Sequence, residues 1–147
     1  MKKLNVILLT VLASILMLTS CSPYEEGPAI SLRSRTERLC NEWRLTRLYI
    51  NGTEQTLSSF DQQTTLEFKD NGTVNYSYAV MDSTAIVITG SGTWEFNDDQ
   101  TEVFTTITYT LGGTEKDTFK ILRLKEEELW LENNQDGDVV ETHYEPK

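Results

Sequence analysis

From Trp43 onward, apolar side chains recur at every second position in short runs, and each run is closed by a cluster of turn-forming residues. Leu66 and Phe68 alternate with Thr65, Glu67 and Lys69; Asp70-Asn71-Gly72 supplies a tight turn; Val74, Tyr76 and Tyr78 then alternate with Asn75 and Ser77. A period of two places successive side chains on opposite faces of an extended chain, so this stretch predicts a β-hairpin. Further runs at 43–50, 85–96, 102–111, 117–124, 128–133 and 138–145 bring the expected total to about eight strands.

The segments joining these runs include Met81-Asp82-Ser83, Asn97-Asp98-Asp99-Gln100, Gly112-Gly113, Glu126-Glu127 and Gln135-Asp136-Gly137. They are too short to hold crossover helices, which forces neighbouring strands to run antiparallel in up-and-down order. One face of the strands is apolar and the other rich in Thr, Glu, Asn and Lys, so the sheet must curl around its apolar face or find a second layer. Gly90 and Gly92 interrupt the fourth run, where a bulge or a barrel corner is expected.

Before Trp43 the period changes. Leu32, Thr36, Leu39 and Trp43 recur at helical spacing, and Ser34-Arg35-Thr36-Glu37 fits a capping box, which predicts one short amphipathic helix within 31–41. Arg33, Arg35 and Arg38 then fall mainly on its outer, solvated side. The expected fold class is therefore all-β: an antiparallel, up-and-down, eight-stranded barrel preceded by a short N-terminal helix.

The first twenty residues follow a different logic. Met1-Lys2-Lys3 is a positive start, Leu4 to Thr19 an apolar stretch, and Leu18-Thr19-Ser20-Cys21 a small-residue cleavage point. This order predicts a secretion signal over 1–20, too short and too interrupted by Asn5, Thr10 and Ser14 to serve as a membrane span of roughly 20 residues. Leu-Thr-Ser-Cys resembles the lipobox of bacterial lipoproteins, and the resemblance implies cleavage before Cys21 and acylation of its sulfur. Each buried CH₂ contributes about 0.8 kcal/mol, so several acyl chains together would hold the domain at a membrane. Residues 21–30, with two prolines and a glycine, read as a lipidated tether reaching at most about 30 Å, and 31–147 as the folded domain. Glu25 and Glu26 look like the acidic export signal of lipoproteins of the Bacteroidota, which implies an outer-membrane, cell-surface location.

Charge narrows the partners. The chain carries 13 basic and 23 acidic residues, a net charge of −10, and loss of residues 1–20 with Lys2 and Lys3 makes it −12. Nucleic acid is not an expected partner, because phosphate contacts need a clustered positive surface. With Cys21 acylated, Cys40 has no disulfide partner and reads as a small buried hydrophobe.

Catalytic patterns are scarce. His143 is the sole histidine, flanked by Glu141 and Glu145, and reads as an exposed strand residue rather than a catalytic base. No nucleophile elbow, phosphate-binding loop or paired-cysteine zinc site occurs, so neither enzyme activity, a metal site nor a cofactor is expected. Asn133-Asn134-Gln135-Asp136-Gly137-Asp138 is rich in oxygen ligands but lacks the spacing and closing glutamate of a calcium loop, and reads as a hairpin turn.

The order of Leu39, Trp43, Asn51-Gly52, Asp70-Asn71-Gly72, Gly92-Thr93-Trp94-Glu95-Phe96 and Glu128-Leu129-Trp130-Leu131 is similar to that in lipocalin-like lipoproteins of the Bacteroidota. It departs from the lipocalins in carrying Asn41 where they place a glycine before the first-strand tryptophan. The resemblance implies a barrel that is either filled or holds one small apolar or amphipathic ligand. The residues expected to face inward are Trp43, Leu45, Leu66, Phe68, Val74, Tyr76, Tyr78, Ile86, Ile88, Trp94, Phe96, Phe119 and Ile121. Candidate ligand contacts are Trp43, Tyr76, Tyr78, Trp94 and Phe119, with Leu57 and Phe60 on the long 51–63 loop acting either as a lid or as pins across the barrel end. Two functions stay open: a lipid-anchored binding module, and a filled barrel that works through its outer surface.

Overall fold

The computed structural model describes residues 32–80 and 86–147. The secretion signal, Cys21, the tether and the Met81-Asp82-Ser83 turn lie outside the described residues. A short helix, α1 (Arg35–Leu39), leads into nine strands: β1 (Glu42–Ile50), β2 (Thr53–Gln55), β3 (Thr65–Phe68), β4 (Thr73–Val80), β5 (Ile86–Phe96), β6 (Glu102–Tyr109), β7 (Thr114–Leu124), β8 (Leu129–Gln135) and β9 (Asp138–Pro146). Strands β3 to β9 pair in sequence order, all antiparallel, and β1 joins β3 on one edge and β9 on the other. Eight strands thus close on themselves, and closure leaves none of the eight as an end strand. The ninth, β2, is a three-residue hairpin arm on β1 within the expected 51–63 loop.

The turns follow their residues. Ile50 pairs with Thr53 across Asn51-Gly52, and Gln135 pairs with Asp138 across Asp136-Gly137. Both central residues of each turn have positive φ, which Asn, Asp and Gly tolerate, so these are tight two-residue hairpin turns. The oxygen-rich 133–138 segment is accordingly the β8–β9 hairpin.

Two bulges set which side chains face inward. On β1 the register against β9 slips between Leu45 and Arg47, and the extra residue, Thr46, donates through Oγ1 to the His143 carbonyl (3.2 Å). The slip exchanges the faces beyond it, so Leu48 rather than Arg47 reaches the interior. A second slip between Ile121 and Arg123 turns Leu124 inward and leaves Arg123 outside, its guanidinium 3.9 Å from the Trp130 ring centroid. The expected bulge at Gly90 and Gly92 is not found; both strand pairings of β5 run through them without a break. Their role is close approach, since a Cβ on Gly92 would stand 1.7 Å from the Thr106 carbonyl oxygen.

The capping box forms as expected: Ser34 Oγ accepts from the Glu37 N–H (3.1 Å) and the Ser34 N–H donates to Glu37 Oε2 (2.6 Å). The helix lays Leu39 across one barrel end, where the Trp43 indole donates to the Leu39 carbonyl (2.8 Å). Around them pack Phe68, Val74, Trp94, Val103, Ile121, Leu124, Leu129 and Leu131, all buried. Arg38 corrects the sequence reading: it is buried rather than solvated, and its guanidinium donates to the Arg33 carbonyl (2.6 Å). Arg35 reaches the Asp99 carbonyl, tying the helix to the β5–β6 turn.

Two further expectations are corrected. Ile86, expected inside, is exposed where β5 pairs with Val80 at the end of β4, away from the packed core. His143, expected on the surface, is buried on the outside of the barrel: its imidazole lies flat on Trp130 (centroids 4.0 Å apart, 2° between planes), with Tyr49 nearby (5.0 Å), and Nε2 lies 2.5 Å from Glu141 Oε1. Aromatic cover removes water from a ring that alternation alone puts outside. Cys40 is half-buried against the core, where burial and, less so, the charge of Asp70 push its thiol pKa up, away from the reactive thiolate form.

Candidate functional site

The packed core occupies only the helix end of the barrel. Toward the other end, where β4, β6 and β8 finish and β5, β7 and β9 begin, the interior opens into a cavity of about 310 Å³. That is near the lower bound of small-ligand sites, roughly 300–1,000 Å³. A wider furrow of about 710 Å³ runs past Arg44, Thr46, Glu54 and Gln62, where the edge of β1 passes from β3 to β2, but its walls are mostly polar and it does not enclose.

Leu45, Leu48, Leu66, Ile107 and Phe119 form the apolar floor and sides of the cavity. Its aromatic wall is built by alternation on two strands that flank β5. Tyr76 on β4 and Tyr109 on β6 both pair with Gly90, so the glycine between them lets the two rings approach to 6.3 Å between centroids. Tyr78 completes the group at 5.5 Å from Tyr76 and 6.3 Å from Tyr109. Burial drives the phenol pKa values of Tyr76, Tyr109 and Tyr144 up, so these hydroxyls stay neutral donors and acceptors.

Polar groups complete the lining. Asp61, Glu115 and Asp117 face the cavity, together with Asn133, Gln135 and Thr142, and no lysine or arginine lines it. Asp61 is held by the Ser58 N–H (2.7 Å) and Oγ (2.8 Å), and Glu115 accepts from the Tyr109 hydroxyl (2.9 Å). Burial, then the charge of Glu115, push the Asp117 carboxyl above the usual carboxylate range. The folded state thus binds this proton more tightly than the unfolded chain, and ionisation of Asp117 opposes folding progressively as pH rises from the unfolded value through the folded one. Asp117→Asn is therefore expected to raise Tm at neutral pH and to change it little in acid below the ordinary aspartate range. Thermal unfolding at both conditions checks this; an equal shift at both would contradict it.

Of the residues singled out in the sequence, Tyr76, Tyr78 and Phe119 line the cavity. Trp43 and Trp94 lie in the packed end instead, each with its indole N–H satisfied by a backbone carbonyl, Leu39 for Trp43 and Lys69 for Trp94 (2.8 Å in both). Leu57 packs against the core from the furrow side, and Phe60 is half-buried where the loop enters its Asp61–Gln63 turn. The loop enters the cavity through Asp61. Tyr109, Glu115, Asp117, Asn133, Thr142 and Tyr144 were not anticipated. Period-two counting along β6, from Val103 through Thr105 and Ile107, and along β9, from Val140 through Thr142, points to Tyr109 and Tyr144; counting back along β7 from Ile121 and Phe119 reaches Asp117 and Glu115, whose charge argues for the outer face instead.

Among the described residues, no group of three His, Cys, Asp or Glu side chains is placed to hold a metal ion. His143 sits outside the barrel wall and does not line the cavity.

No curated protein matches the sequence. A family model described as a lipocalin-like domain matches residues 39–131, from the last residue of α1 into the first half of β8. The closed eight-stranded antiparallel barrel, the helix at its N-terminal side and this match agree, and the chain belongs to the lipocalin-like domain family.

Proposed function

We propose that this protein is a non-catalytic, lipid-anchored binding module whose barrel takes one small apolar or amphipathic molecule through its open end. The observation that carries this reading is the half-filled interior: a dense apolar plug at the helix end and a cavity of about 310 Å³ at the other, with tyrosines and a few polar groups converging on it. A barrel serving only through its outer surface has no need of that space, since unfilled interior costs contacts.

The test is binding of the neutral fluorescent probe N-phenyl-1-naphthylamine. Wild-type protein is expected to bind one probe per chain, and Val140→Trp, which places an indole at a half-buried lining position, is expected to abolish binding with little loss of Tm. Absence of binding to wild type, or binding that Val140→Trp leaves intact, would refute the reading.

The anchor is proposed on the N-terminal pattern alone: Lys2-Lys3, the apolar stretch and Leu18-Thr19-Ser20-Cys21 support acylation at Cys21 and residence at an outer membrane. Expressed with its own leader, wild-type protein should sediment with membranes, and Cys21→Ser should move it to the soluble fraction. A wild-type chain found soluble would overturn the anchor without touching the cavity.

A further inference from the structure

The charge of the cavity says what kind of small molecule fits it. Its lining holds three carboxylates, Asp61, Glu115 and Asp117, and no basic side chain. Two of the three are engaged, Asp61 by Ser58 and Glu115 by Tyr109. Asp117 makes no hydrogen bond or ion pair among the described residues, although it is half-buried. Carboxylates gathered around one cavity with no basic partner among its lining disfavour one another and repel any anionic guest.

The aromatic lining points the same way. Tyr76, Tyr78 and Tyr109 line the cavity as one aromatic cluster with centroids 5.5–6.3 Å apart, and burial keeps at least two of these phenols neutral. Aromatic faces attract cations, most of all where water is excluded. On the opposite side Asn133 lines the cavity at 7% exposure, and no hydrogen bond among the described residues engages its side chain. An amide open to the cavity offers a hydrogen-bonding partner to a polar group on a guest.

We infer that the ligand is a cationic amphiphile: an amine or quaternary ammonium group seated between Asp117, Glu115 and the tyrosine wall, with its apolar part against Leu45, Leu66 and Phe119. This rests on the binding reading above and narrows it to one charge class. The apolar floor supplies affinity that does not depend on charge, and the carboxylates with the tyrosine faces supply the choice among guests.

Isothermal titration calorimetry with three probes that share a six-carbon chain, hexyltrimethylammonium, hexanol and hexanoate, tests it at fixed ionic strength. Hexyltrimethylammonium is expected to bind about ten-fold or more tightly than hexanol, a gap of about 1.4 kcal/mol, with hexanoate weakest. Asp117→Asn should remove most of that preference, lowering hexyltrimethylammonium affinity far more than hexanol affinity; because the substitution relieves a half-buried charge, the variant is expected to fold. Equal affinity for the cation and hexanol, or a preference that survives Asp117→Asn, would overturn the charge assignment while leaving the binding module standing. Failure of wild type to bind N-phenyl-1-naphthylamine would overturn the binding reading itself.

Discussion

Replacing Trp43 by alanine is expected to cost about 3–5 kcal/mol, the range for removing a large aromatic side chain from a packed interior. Trp43 has no exposed surface, and it joins three parts of the molecule at once. Its backbone opens β1 opposite Leu66 and Pro146, its ring fills the helix end of the barrel, and its indole N–H holds the Leu39 carbonyl at the end of α1. Alanine leaves a cavity at that junction and leaves the carbonyl without its donor. Since domains of this size are stable by only about 5–15 kcal/mol, a large part of the folded population should be lost on mild warming. Urea unfolding followed by far-UV circular dichroism measures the loss; a cost below about 1 kcal/mol would mean that the helix end is not the packed core described here.

Gly92→Ala is expected to be comparably severe for a different reason. A Cβ at Gly92 would lie 1.7 Å from the carbonyl oxygen and 2.7 Å from the carbonyl carbon of Thr106, both backbone atoms. No rotamer change relieves that overlap, because Thr106 is fixed by the β5–β6 ladder. Overpacking costs typically about 1–3 kcal/mol and occasionally more; collision with backbone should place this variant at about 3 kcal/mol or above. Gly90→Ala provides the comparison: its Cβ meets the Ile107 Cγ2 at 2.5 Å and the Tyr109 ring at 3.0 Å, side-chain atoms that can shift. Gly90→Ala should therefore destabilise less than Gly92→Ala yet displace Tyr109, weakening ligand binding more than its stability loss explains. The reverse order of stabilities would show that close approach is not what these glycines provide.

The strands and the hairpin turns were legible in the sequence because alternation and turn chemistry are local. The capping box of α1 was legible for the same reason. What alternation could not show is where its own phase slips. At Thr46 and near Leu122, one extra residue exchanges the faces beyond it, so Leu48 and Leu124 face inward although neither was expected there. Burial by a neighbour was equally hidden: His143 stands on the outer face, as its position implies, and loses its exposure to Trp130 and Tyr49, which are not its sequence neighbours.

The site was legible only by half, and the missing half is polar. Tyr76, Tyr78 and Phe119 are apolar enough to be placed inside by pattern, whereas Asp117 and Asn133 carry the chemistry of surface residues. A core that is filled at one end and open at the other breaks the equation of polar with outward, because past the packed plug the inward positions face a space rather than other side chains. Trp43 and Trp94 were drawn into the expected site because large aromatics suit a ligand as well as a core; closure of the helix end by Leu39 decides between those roles.

The central claim is a barrel plugged at the helix end and open at the other, and nuclear magnetic resonance shift mapping during titration with N-phenyl-1-naphthylamine tests it most directly. The three indole N–H signals report three different places: Trp43 and Trp94 in the plug, Trp130 on the outer wall. Shifts concentrated at Tyr76, Tyr109, Asp117 and Asn133 with all three indole signals nearly still are what the structure predicts. Large movement of the Trp43 and Trp94 signals, or of Trp130 alone, would contradict it by placing the probe in the plug or on the outside of the barrel.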